Sequence, residues 1–152
     1  MTTSQFLNRF SILTSLALLF SINALAQVTF ENPYIYIPIK GSNATAGYVQ
    51  IKNDGPKDIL FTVKSVDGFK KAEVHETTEK DGLMAMQKVD SFLIKAKSSL
   101  TLEPGGKHIM LFDAEKKLQV GGYVNVVYSI DGALKTEKFK LVERNVSSGH
   151  KH

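Results

Sequence analysis

Hydrophobic positions fall into two patterns along this chain. Near the start they form one block, Phe10 to Phe20, interrupted only by Ser11, Thr14 and Ser15. From Val28 onward they recur at every second position in short runs, the period of a strand with one buried face. The runs lie at Val28–Ile39, Tyr48–Ile51, Ile59–Val66, Ala72–His75, Met84–Val89, Phe92–Ile94, Leu100–Leu102, His108–Phe112, Tyr123–Ile130 and Leu134–Val142. Turn residues separate them: Asn53-Asp54-Gly55-Pro56, Asp67-Gly68, Asp81-Gly82, Lys97-Ser98-Ser99, Pro104-Gly105-Gly106, Gly121-Gly122 and Asp131-Gly132. Asp131-Gly132 joins two well-alternating runs and predicts a two-residue hairpin. Pro33 and Pro38 mark the first run as an edge or irregular strand. Only Ala114–Leu118 reads as a candidate helical turn. Eight to ten short strands without a helical stripe predict an all-β fold, an antiparallel sandwich or barrel.

The block before Ala26 has a different meaning. Arg9 is its only charge, the apolar run follows, and Ala24-Leu25-Ala26 supplies small residues at A-x-A spacing. A basic start, a short apolar stretch and such a site define a secretory signal, with cleavage expected after Ala26. The run is shorter than the ~20 residues that span hydrocarbon, which argues against a retained anchor. The expected organisation is a cleaved signal over 1–26, one domain over 27–143 and a polar His-containing tail over 144–152. The mature protein is then periplasmic, free of the membrane and monomeric.

Composition narrows the chemistry. The chain has 152 residues with no cysteine and no tryptophan. Without cysteine there is no disulfide framework, thiolate zinc site, iron–sulfur cluster or blue-copper thiolate. Nineteen Lys and Arg stand against fifteen Asp and Glu, a mild +4 spread along the chain, so nucleic-acid binding is not supported. No serine sits in a G-x-S-x-G elbow, and Glu73, Glu76 and Glu103 read as solvated charge at strand ends, so no enzyme is expected.

Methionine and histidine are distributed unevenly. Beyond the initiator, the methionines are Met84, Met86 and Met110; the histidines are His75, His108, His150 and His152. Outside the tail, all of them lie between residues 75 and 110. His108 and Met110 are two apart, as are Met84 and Met86, so each pair shares one face of a strand. If the strands bearing His75 and Met86 form a hairpin around Asp81-Gly82, and the strand of His108 lies beside them, two imidazoles and two thioethers converge. Thioether sulfur is a poor ligand for Zn²⁺, Mg²⁺ or Ca²⁺ and a good one for Cu(I), which imidazole also suits. The alternative is structural: methionine fills gaps in cores, and His108 can be a surface residue after a turn.

These residues also resemble a known family. His75, Met86, His108 and Met110 are spaced as H-x10-M-x21-H-x-M, the pattern of the periplasmic copper chaperones called PCu(A)C. Glu73-Val74-His75-Glu76 is similar to the family's E-L-H-E, Gly82–Met86 to its G-V-M-x-M, and Leu102–His108 to its L-x-P-G-G-x-H. The Tyr48 strand and Asn53 resemble its A-Y-M-x-I-x-N, with Gly47 and Val49 as departures, and Lys107 stands where an aromatic residue is common. The resemblance spans residues 44–143. It implies a cupredoxin-like antiparallel Greek-key β-sandwich binding one Cu(I) through His75, Met86, His108 and Met110, with Met84 beside the site. It further implies delivery toward the CuA centre of cytochrome oxidase subunit II, in company with a Sco-type thiol protein. His150 and His152 offer a weak secondary Cu(II) site, since the tail brings only nitrogen and oxygen donors; the alternative is a solvated tail. Copper buffering or resistance, and an exported binding module without metal, are the rival functions.

Overall fold

The computed structural model describes residues 28–144. The expected signal over 1–26 and the tail histidines His150 and His152 lie outside the described residues. Ten strands follow one another: β1 (Val28–Tyr36), β2 (Ala44–Asn53), β3 (Ile59–Val66), β4 (Phe69–Lys80), β5 (Leu83–Val89), β6 (Phe92–Ile94), β7 (Ser98–Leu102), β8 (His108–Ala114), β9 (Tyr123–Ile130) and β10 (Ala133–Val142). They pair in the order β5-β4-β8-β2-β1-β10-β9-β3-β6, with β7 on β2. The fold is all-β, as the alternating pattern predicts, and is the cupredoxin-like β-sandwich that the family resemblance implies. All ladders are antiparallel except one: β1 and β10 run parallel, with Tyr34, Ile35 and Tyr36 opposite Lys140, Leu141 and Val142.

Alternation sends one set of side chains into the core. Ile35, Ile51, Phe61, Ile109, Leu111, Val126 and Phe139 are fully buried there, with Val74 and Ile94 almost so. The other face of β4, β5, β8 and β2 is thereby left to the intervening residues, and the chemistry-bearing side chains stand on it. Turn chemistry fixes the registers. Asp81-Gly82 and Asp131-Gly132 both have two consecutive residues at positive φ (54° and 77°, 49° and 87°), the type I′ geometry that matches strand twist.

Three local expectations are corrected. β1 is interior, between β2 and β10; Pro33 is accommodated by a register shift between Glu31 and Tyr34, with Asn32 at φ 50°, so the strand is irregular without being an edge. Residues 114–118 form no helical turn: Glu115 N–H donates to Gly68 O (2.8 Å) and the segment runs irregularly over the β3–β4 turn. His75 does not end its strand, because β4 continues to Lys80.

Candidate metal centre

Register builds the site. In the β4–β8 ladder His75 lies directly opposite His108, and Glu73 opposite Met110. In the β4–β5 hairpin Thr77 faces Met86, and Glu79 faces Met84. Since cross-strand partners share a face and residues two apart do too, Glu73, His75, Met84, Met86, His108 and Met110 all stand on the side away from the core. The core-facing positions between them, Val74, Ile109 and Leu111, are buried apolar residues that anchor β4 and β8.

The two imidazole rings are 5.8 Å apart, inclined by 39°. His108 is only 6% exposed although it is on the outer face. It is covered by the Pro104–Lys107 turn and by Tyr48, whose ring centroid is 6.5 Å away. The turn is closed by Glu103 N–H donating to Lys107 O (2.8 Å) and Gly106 N–H to Glu103 O (3.1 Å), with Gly105 at φ 83°. Gly106 O in turn accepts from Thr77 N–H (3.3 Å) and from the His108 ring at Nδ1 (3.0 Å).

A carbonyl only accepts, so the Nδ1 contact fixes the proton of neutral His108 on Nδ1 and leaves Nε2 with a lone pair. That nitrogen is 3.3 Å from Met86 Sδ. A ring nitrogen and a thioether sulfur thus face each other across a short gap. On His75, Nε2 is 3.0 Å from Glu73 Oε2, whereas Nδ1 is buried with no hydrogen-bond partner. Buried polar atoms are almost always satisfied, so such an atom beside a second imidazole fits a ligand. Met86, His108 and Met110 line one cavity of about 320 Å³ together with Ala44, Ala46, Tyr48, Thr77 and Arg144. His75 is not among the residues that line it. Met84 is 64% exposed and Met86 55% exposed on β5. Among the described residues no three His, Asp or Glu side chains are placed to share an ion, so a metal held here draws on thioether sulfur.

Three contributors were not singled out by their sequence positions. Glu73 is no solvated charge: its carboxylate is 9% exposed and bonded to Lys71 Nζ (2.9 Å), Lys88 Nζ (2.9 Å) and His75. The hydrogen bond from Lys88, then those from His75 and Lys71, pull its pKa down to about 2. Tyr34, Tyr36 and Tyr48 form a mutual cluster with centroids 5.3 to 5.6 Å apart, one ring of which shields His108. Arg144, expected to begin the tail, sits 5.1 Å from the Tyr36 ring and lines the cavity. The alternation of Tyr34 and Tyr36 was the available signal for the cluster; nothing in the sequence pointed to Arg144.

A cupredoxin-like sandwich with imidazole and thioether donors gathered on the outer face of one sheet defines a PCu(A)C-type domain. The chain belongs to the family described as "Putative lipoprotein LpqE-like", which matches residues 28–137 and is the PCu(A)C-related family. It is 34% identical over 92 residues to "Putative lipoprotein Lxx21020" of Leifsonia xyli, covering 60% of this chain and 55% of the relative. It is 32% identical over 113 residues to "Uncharacterized protein RP573" of Rickettsia prowazekii, covering 71% and 62%. The matched region thus spans less than two thirds of either relative. Among solved structures, the copper-bound PCuAC domain from PmoF2 superimposes with a TM-score of 0.62 at 20% identity, covering 78% of this chain and 95% of that one. The solution structure of CuI-DR1885 from Deinococcus radiodurans gives 0.66 at 24% identity, covering 82% and 85%.

Proposed function

We propose that this protein is an exported, non-catalytic copper chaperone that carries one Cu(I) on His75, Met86, His108 and Met110. The observation that supports it most is the 3.3 Å approach of His108 Nε2 to Met86 Sδ, beside a second imidazole whose Nδ1 is buried and unpartnered. Copper-bound structures of the same fold, and relatives described as lipoproteins, favour the same cargo and an extracytoplasmic location.

The donor set suits carriage. Neutral nitrogen and sulfur ligands hold a monovalent soft ion without adding negative charge, and an acceptor offering thiolates binds it more strongly. Met86 is half exposed and stands on edge strand β5, where an incoming ligand can replace its sulfur. The acceptor that this chemistry favours is a thiolate-bearing copper site, such as the CuA centre of cytochrome oxidase subunit II or a Sco-type protein. Met84, two residues from Met86 on the same face, is a spare thioether for arrival and departure.

The test is an anaerobic Cu(I) titration of residues 27–152 against a chromophoric chelator. One tight equivalent is expected, weakened at least about tenfold in Met86→Leu, Met110→Leu and His75→Ala, as loss of a whole ligand should cost no less than loss of its outer-shell partner. Wild-type affinity in all three variants would refute the site.

A further inference from the structure

We propose that Glu73 is a positioning residue: it ties down His75 at Nε2, so that copper is met by Nδ1 of His75 and by the opposite nitrogen, Nε2, of His108. The inference rests on the copper reading above and deepens it.

The carboxylate of Glu73 has both oxygens engaged. Oε1 takes Lys71 Nζ and Lys88 Nζ, each at 2.9 Å, and Oε2 takes His75 Nε2 at 3.0 Å. Lys71 precedes it by two residues on β4. Lys88 reaches it from β5, where it is the cross-strand partner of His75. So held, Glu73 is not available as a ligand, and it cannot swing toward the cavity without leaving two ammonium groups.

An ionised carboxylate only accepts, so a neutral His75 carries its proton on Nε2. The lone pair then belongs to Nδ1, which is the buried side-chain atom without a hydrogen-bond partner among the described residues. His108 is fixed the other way, with Nδ1–H on Gly106 O and Nε2 at Met86 Sδ. Each ring therefore has one nitrogen anchored and one presented, and the anchored nitrogens differ. A hydrogen-bonded carboxylate also makes the ring a stronger donor and holds its orientation, the role such partners play behind metal-bound histidines.

The experiment uses long-range nitrogen–proton correlation spectra of the histidine rings at pH 8, where unperturbed imidazole is neutral. The apo protein should show His75 protonated at Nε2 and His108 at Nδ1. On adding Cu(I), which is diamagnetic, the large shifts should fall on His75 Nδ1 and His108 Nε2. Glu73→Gln keeps an acceptor oxygen and should retain the His75 tautomer with Cu(I) affinity within about threefold, whereas Glu73→Leu should mix the tautomers and lose about 10- to 100-fold. A His75 protonated at Nδ1 in the wild type, or copper shifts at its Nε2, overturns the proposal even if Glu73→Leu fails to fold. Equal losses in Glu73→Gln and Glu73→Leu overturn it too, since the carboxylate would then act through charge. A wild type with the expected tautomers that binds no Cu(I) refutes the copper reading instead, and the positioning role falls with it.

Discussion

Tyr34 sits between Tyr36 and Tyr48, with ring centroids 5.4 and 5.3 Å away. Burial, then the hydrogen bond with Tyr36 and the proximity of other phenols, push its pKa up to about 12. The folded state therefore holds this proton more tightly than an unfolded chain, whose tyrosines ionise near 10. By linkage, the stabilisation is complete below pH ~10 and is lost as pH rises toward about 12. Alkaline titration followed by tyrosinate absorbance should show this late ionisation in the native protein. Tyr34→Phe should remove it and flatten the loss of stability over that window. Neither this cluster nor the role of Glu73 was legible from the chain alone. The nearest sequence signal for Glu73 was an acidic residue two before a histidine, which is common on exposed strands. Its meaning came from Lys88, which only the β4–β5 register brings to it. The four proposed copper donors were legible because their residue types are scarce and their spacing regular.

At the scale of elements, alternation and turn residues placed every strand, and two Asp-Gly pairs marked hairpins, of which Asp81-Gly82 sets the β4–β5 register at the site. Pairing order was less accessible. Two prolines suggested an edge or irregular strand for β1, and the irregular alternative holds: a bulge between Glu31 and Tyr34 lets the strand lie inside the sheet. That position makes Gly47 of β2 critical. A Cβ there would stand 2.9 Å from Ile35 Cγ1 and 3.7 Å from Ile109 Cβ, both on fully buried residues with little room to yield. Gly47→Ala should therefore cost about 1–3 kcal/mol through overpacking. The expected signature is a lower urea midpoint with an unchanged slope. Because Gly47 lies opposite Ile109, flanked by His108 and Met110, the same variant should also loosen the proposed copper site. Asn53 illustrates a turn signal that proved to be more: it is fully buried, and its amide nitrogen reaches Lys57 O (2.8 Å), Ile94 O (3.2 Å) and Lys95 O (3.1 Å), holding β6 to the end of β2.

Over the whole molecule, the proposed copper donors come from three neighbouring strands, β5, β4 and β8, and the apolar core packs beneath them. Most ladders join segments distant in sequence, so folding should be slow for the size of the domain, on the millisecond-to-second scale of β-sandwiches. Stopped-flow refolding of the mature domain should give a single phase in that range. A microsecond phase carrying most of the amplitude would contradict it. The parallel ladder between β1 and β10 has a consequence for synthesis. A chain emerging N-terminus first presents β1 long before β10 exists, and until then both β1 and β9 offer open edges. The joining of β1 to β9 through β10 is thus deferred to the final segment, and a prematurely terminated product lacking β10 keeps those edges exposed to proteases. A polypeptide still lacking β10 therefore stays open along β1 and β9, and shortened products differ from finished ones by those two free edges.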